Sequence, residues 1–334
     1  MLKYIVRRLL LLVPILFGLS LLVFVFVRSL PGGPEIALLG ERATEQSSAA
    51  IKKDLGLDQP LPVQYARYVK NLVQGDFGSS VITRQPVMTE LKQRFPATVE
   101  LGLTAVLIAL VLGIPLGFLA AKRYQGFLDH ASLGASLIGI SFPIFFLALI
   151  LKWIFAVKLG WLPSFGRIEA TIDLPHPTNF YLLDAIIDTN WEAFVDVLKH
   201  LVLPAIALAT IPLAIIARIT RAAVLEVTNE DYVRTARAKG LDPSVVDRRH
   251  VMKNAMLPVV TVVGLQTGLI LTGAVLTETV FAWPGVGSWM LNAIRNADYA
   301  VIQGGILFFA LITIFSSLVV DVSYAFLNPR IRYQ

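Results

Sequence analysis

Six uninterrupted stretches without a single Asp, Glu, Lys or Arg divide this chain: residues 9–27, 101–121, 131–151, 201–217, 255–277 and 299–320. A helix that crosses a bilayer needs roughly 20 apolar residues, each rising about 1.5 Å. Each stretch reaches that length or comes close to it. Long buried helices of a large soluble protein would not supply six of them in 334 residues. With 56% hydrophobic and only 16% charged residues, the chain reads as an all-α membrane protein with six transmembrane helices.

Short flanking segments set the orientation, because loops rich in Lys and Arg stay in the cytoplasm. Lys3, Arg7 and Arg8 precede the first stretch, Lys122 and Arg123 follow the second, and Arg330 and Arg332 lie near the end. Residues 218–253 hold eight basic against five acidic side chains, whereas residues 158–199 hold three basic against six acidic. Six spans with both termini inside satisfy every one of these constraints. The first stretch has the basic start of a signal peptide, but P-G-G-P at 31–34 offers no small-x-small cleavage site, so it reads as an uncleaved anchor.

The expected organisation is a cytoplasmic start and first span (1–29), an outer region (30–94), a five-helix transmembrane domain (95–324) and a cytoplasmic tail (325–334). In the outer region, segments 51–57 and 63–73 have helical character, and Leu55, Leu57, Tyr65, Tyr68, Val69 and Leu72 supply apolar positions for a small folded unit. The second outer segment, 158–200, is also long, and loops of that length are more often functional than incidental.

Covalent chemistry is hard to find. The chain has no Cys, no G-x-x-x-x-G-K-[ST], no H-E-x-x-H and no G-x-S-x-G. His130, His176, His200 and His250 are scattered and read as loop or interface residues rather than a metal cluster. The net charge of +6 fits inside-facing loops beside anionic lipid and does not argue for nucleic acid. Ionisable groups are sparse in the apolar stretches, with Lys152, Glu278 and Asp321 at their ends, which disfavours an ion-coupled carrier with midplane carboxylates.

The informative segment is the charged loop 218–258, above all residues 231–258. Leu225, Tyr232, Val233 and Ala236 form a stripe at helical spacing, with Glu226, Glu230 and Arg234 as a polar ladder. Gly240 can end that helix in the left-handed conformation, Asp242 suits an N-cap and Pro243 a first helical turn. A helix–turn–helix with a basic surface (Arg234, Arg237, Lys239, Arg248, Arg249, Lys253) exceeds what the positive-inside rule requires of a plain loop.

This pattern resembles the EAA loop of ABC importer permeases, through which the membrane subunit docks on its ATPase. Arg234-Thr235-Ala236 stands where Glu-Ala-Ala is expected, and the spacing from Gly240 to Leu257-Pro258 is long. Both departures are typical of the peptide/nickel group. The resemblance covers essentially the whole chain: Y-I-V-R-R-L-L at 4–10, P-G-G-P at 31–34, L-G-L-D-Q-P at 55–60, G-D-F-G-S-S at 75–80, R-F-P-A-T-V-E-L at 94–101, L-T-E-T-V-F-A-W-P-G-V-G at 276–287, D-Y-A-V-I-Q-G at 298–304 and N-P-R-I-R at 328–332. The similarity is greatest to B-type permease subunits of dipeptide importers.

The resemblance implies a type I ABC importer permease fold in a bacterial inner membrane and alternating-access import of di- or oligopeptides without covalent chemistry in this chain. Implied partners are a homologous second permease, two cytoplasmic ATPases that bind ATP and Mg, and a periplasmic peptide-binding protein. Other solutes of related systems are nickel chelates, haem, glutathione and peptide antibiotics. An ion-coupled transporter and a non-transporting scaffold are the rival classes. The ATPase-coupling residues implied are Asp231, Arg234, Thr235, Ala236, Arg237, Ala238, Lys239, Gly240, Leu241, Asp242, Pro243 and Val246. The outer-gate candidates are Glu278, Trp283, Pro284, Gly285 and Gly287, with a short helix over 288–297. Trp283-Pro284-Gly285 reads equally as an interfacial aromatic with a turn.

Overall fold

A computed structural model describes residues 2–29 and 58–327. The P-G-G-P turn, the expected helix at 51–57 and the N-P-R-I-R motif lie outside them. The helices are α1 (Leu2–Ser29), α2 (Leu61–Val73), α3 (Val87–Lys122), α4 (Phe127–Ser141), α5 (Ile144–Leu151, continued as a π-helix over Lys152–Lys158), α6 (Tyr181–Ile187) and α7 (Trp191–Thr228). They continue with α8 (Asp231–Ala238), α9 (Pro243–Val245), a π-helical turn (Val246–Met252), α10 (Lys253–Gly273), α11 (Val275–Val280), α12 (Val286–Arg295) and α13 (Tyr299–Leu327). No β-strand occurs among the described residues; one isolated bridge joins Ser79 to Pro86.

Among the described residues, five helical segments are long and apolar enough to cross a membrane: Leu10–Ser29, Val87–Lys122, Trp191–Thr228, Pro243–Ile270 and Tyr299–Leu318. The expected third span is not straight. Its two halves, Phe127–Ser141 and Ile144–Lys158, meet at 102°. Pro143 has no N–H to continue the ladder and pushes the preceding residue out of helical geometry; Phe142 is extended at φ −82°, ψ 129°.

The centre is the α3–α7 pair. Along α3, Ala97, Leu101, Ala105, Ala109, Gly113, Gly117 and Ala121 recur every fourth residue and all are buried. They face Ala205, Ala209, Ile216, Ala217 and Thr220 of α7, a stripe also rich in small residues. In lipid, helices associate through close van der Waals contact, and small residues permit it. A methyl at Gly117 would overlap the Ala217 carbonyl oxygen and lie 2.7 Å from Thr220 Cβ, so only glycine fits that crossing.

Both helices outrun their apolar stretches. α3 starts at Val87 rather than 101 and α7 at Trp191 rather than 201, which draws ionisable residues into helix. Glu90 and Glu100 of α3 are buried. Their cost is met by partners from distant chain: Arg167 donates to Glu100 Oε2 at 2.6 Å, and the Leu182 N–H donates to Glu100 Oε1 at 2.8 Å. Arg167 also donates to the Asn179 carbonyl at 3.1 Å and lies over the Tyr181 ring at 3.6 Å. The loop after α5 is thereby pinned to α3.

Beside α1, helix α2 forms a small outer unit. Tyr65 meets Phe17 and Phe24 edge-on, its hydroxyl bonds Ser20 at 2.9 Å, and Arg28 donates to Gln64 at 2.9 Å. A separate apolar layer joins Val23 and Val27 of α1, Val87 and Leu91 of α3, Val286 and Trp289 of α12, and Val301 and Ile302 of α13.

Candidate functional site

At the Lys122 end of α3 stands the charged loop. Val233 and Ala236 of α8 turn inward with Val246 and Val251 and meet Ala121, Ala223, Val224 and Ala255 in one apolar cluster. This is the expected stripe, except that Tyr232 stays largely exposed and its hydroxyl accepts from Asn254 at 3.0 Å. Gly240 ends α8 at φ +76°, where an L-side chain is strained although a Cβ would meet nothing within 4 Å. Asp242 caps α9 by accepting from the Ser244 N–H at 2.8 Å, and it also accepts from the Ser244 hydroxyl. Those two bonds hold the Asp242 carboxyl below the usual carboxylate range.

Two ion pairs anchor this end. Lys122 pairs with Asp247, tying the end of α3 to the turn after α9. Arg221 of α7 pairs with the buried Asp129 of α4, whose second oxygen accepts from Arg221 Nη2 at 2.8 Å. Of the residues singled out for coupling, Asp231, Arg234, Thr235, Arg237, Ala238, Lys239, Gly240, Leu241, Asp242 and Pro243 are exposed. Ala236 and Val246 are buried and hold the loop to the helices instead of facing outward. At the tip, Leu241 is exposed beside Arg237 and Lys239, an apolar knob within a basic surface.

At the opposite end, the five gate candidates lie around one turn. Glu278 and Trp283 are both 0% exposed. Glu278 Oε1 accepts from the Thr98 hydroxyl at 2.7 Å, and Oε2 accepts from the Ser288 N–H at 2.8 Å, capping the first turn of α12 from another helix. The Thr98 hydroxyl oxygen in turn accepts from the Val286 N–H at 2.9 Å. Trp283 Nε1 donates to the Ala97 carbonyl at 2.9 Å, so the indole lies inside the protein and not at a lipid interface. A side chain at Gly285 would overlap the Glu278 carboxylate, and one at Gly287 would lie 2.9 Å from Val275 Cα. Pro284, just before Gly285, is exposed.

Glu278, at the end of an apolar stretch and among the gate candidates, is the centre of this knot. Thr98 was missed, since a lone threonine carries no signal of its own even within R-F-P-A-T-V-E-L. The Glu100–Arg167 pair was missed because its partners are 67 residues apart. Among the described residues no three His, Asp or Glu side chains stand close enough to hold a metal ion.

Residues 113–333 match the binding-protein-dependent transport system inner membrane component family, and residues 1–102 match the N-terminal part of binding-protein-dependent transport system membrane components. The chain is 49% identical to the di/tripeptide transport system permease protein DppB of Pseudomonas aeruginosa (strain UCBPP-PA14) over 100% of both chains. It is 45% identical to the dipeptide transport system permease protein DppB of Escherichia coli (strain K12), again over 100% of both. Among solved structures, a chain of the MetNI methionine ABC transporter in an inward-facing conformation matches with a TM-score of 0.54 at 16% identity, over 72% of this chain and 97% of that one. That likeness gives the fold, the type I ABC importer permease fold. The chain belongs to the binding-protein-dependent transport system inner membrane components: it is a multi-pass, all-α permease of the bacterial inner membrane.

Proposed function

We propose that this chain is the B-type permease subunit of an ATP-driven importer that carries di- or oligopeptides from periplasm to cytoplasm. The names of its relatives support the cargo class, and the coupling loop supports the energy source. That loop is the observation that carries the reading: a capped helix–turn–helix with an exposed, charged outer face and an inner face locked to α3, α7 and α10. The chain has no phosphate-binding loop of its own, so the energy enters from separate subunits.

In this reading both termini are cytoplasmic, and two ATPase subunits holding ATP and Mg grip the segment from Arg237 to Pro243. Closure of the ATPases tilts the helices of this chain against those of a homologous second permease. A cavity between the two permeases then faces a periplasmic peptide-binding protein, receives the peptide, and opens inward after hydrolysis. Glu278, Trp283, Gly285 and Gly287 act as the pivot that holds α12 at the outer mouth, and α12 itself is the moving part of the gate.

Gly240→Pro tests the coupling. Proline fixes φ near −65°, which the observed +76° forbids. The variant is expected to insert normally while ATP hydrolysis proceeds without peptide uptake in reconstituted vesicles. Uptake at the wild-type ratio of peptide to ATP would refute the assignment.

A further inference from the structure

Between the Val87 end of α3, the 80–85 turn and α12 lies a pocket of about 270 Å3 with a mainly apolar wall that includes Ile82, Ala293 and Val301, into which Arg94, Asn292 and Asn296 bring polar groups. Arg94 Nε is buried there without a hydrogen-bond partner, and no ion pair or hydrogen bond to the guanidinium occurs among the described residues. The carboxylates of this region are engaged elsewhere. Asp298 accepts from the Ser80 hydroxyl at 2.6 Å and the Val81 N–H at 3.1 Å, and Glu90 accepts from Trp289 Nε1 at 3.0 Å. A buried guanidinium donor without an acceptor is costly and asks for an explanation.

Arginine's planar fork matches a carboxylate in two parallel bonds. Beside it, Asn292 offers a donor and an acceptor, and Asn296, whose Nδ2 already donates to the Asn292 carbonyl at 2.8 Å, keeps its Oδ1 and a second N–H, together the complement of a peptide unit. The pocket also lies far from the coupling loop: Arg94 and Lys122 are 28 residues apart on one helix, about 42 Å. It therefore belongs to the membrane face from which cargo arrives.

We propose that this pocket takes the terminal carboxylate of a short peptide, with Arg94 as its binding group and Asn292 and Asn296 meeting the adjacent peptide unit. The proposal rests on the reading of the chain as a peptide permease and adds a cargo-binding subsite to it.

Trp289, in the pocket wall, reports occupancy. The full chain in nanodiscs is titrated with Ala-Ala, with its C-terminal amide and with acetate, following tryptophan emission. Ala-Ala should give a saturable change that is absent in Trp289→Phe. Amidation of the peptide, or Arg94→Gln, should weaken binding at least about tenfold, or roughly 1.4 kcal/mol. Arg94→Gln removes no internal hydrogen bond and relieves an unpaired buried donor, so its unfolding midpoint should not fall below the wild type.

Equal affinity for acid and amide would overturn the proposal, a comparison that needs no variant. Acetate saturating at the same midpoint as Ala-Ala would leave a simple anion site and overturn the peptide assignment. ATP-driven uptake of labelled dipeptide by the complete importer separates the two readings. Uptake without any carboxylate preference in binding overturns the pocket alone, whereas no uptake by the wild type overturns the permease reading.

Discussion

Thr98→Val removes one hydroxyl and keeps the shape of the side chain, which makes it the sharpest probe of the knot beneath α12. That hydroxyl donates to Glu278 and accepts from the Val286 N–H, so its loss strands a buried donor and one oxygen of a fully buried carboxyl group. Each unsatisfied buried group costs about 1–3 kcal/mol, giving about 2–6 kcal/mol in all. Thr98→Ser keeps both bonds and deletes one methyl, at about 1 kcal/mol. Unfolding free energies from SDS titration in mixed micelles should therefore rank wild type, Ser, then Val, with a clear gap before Val. Hydrogen exchange should locate the loss, with the Val286 amide exchanging fastest relative to wild type. If Val falls within about 1 kcal/mol of Ser, or the Val286 amide keeps its protection, the knot does not hold α12 and its role as a pivot fails.

Arg167→Met leaves Glu100 buried without its cation and should cost about 3–5 kcal/mol, with faster exchange across residues 165–182; unchanged exchange there would show that the pair does not pin the loop. Lys122 pairs with Asp247 in a partly exposed setting, so Lys122→Gln should shift stability by less than about 1 kcal/mol, and exchanging the two charges should restore whatever is lost. The Asp242 carboxyl is held below its unfolded value, so its cap is fully present above about pH 4 and fades as pH falls through the lower folded value. Protection of the amides at 244–246, corrected for intrinsic rates, should be flat from about pH 5 to 8 and fall only below about 4; a change inside that plateau would point to another group.

The charged loop could be read from the sequence because its determinants are local. Gly240, Asp242 and Pro243 dictate turn, cap and first helical turn within four positions, and the structure builds them that way. The span count was legible for a similar reason, since length and apolarity are properties of single segments. What escaped depends on contacts between distant positions. Pro143 could have warned of the break at 102°, but the apolar stretch around it gave no sign that the chain turns there. Ends of helices placed by charge fell short at α3 and α7, because Glu90, Glu100 and Asp196 find partners that make their presence in helix tolerable. Trp283 read equally as an outer-gate residue and as an interfacial aromatic, and the Ala97 carbonyl, its acceptor in the interior, removes the second reading.

The four-residue repeat of small side chains along α3 has a mechanical consequence. From Ala97, which holds Trp283, to Ala121, which meets the coupling cluster, the stripe runs 24 residues, or about 36 Å. An added Cβ would lie 3.2 Å from a carbonyl oxygen of α7 at Gly113 and overlap one at Gly117, so there the backbones meet with no soft layer of side chains between them and α3 and α7 act as one strut. A tilt of about 10° about its Ala121 end would carry the Ala97 end through about 6 Å, close to one helical turn. Adding a single methyl at Gly117 would insert a spacer into the strut, and the motion would then reach the α12 turn reduced or out of line.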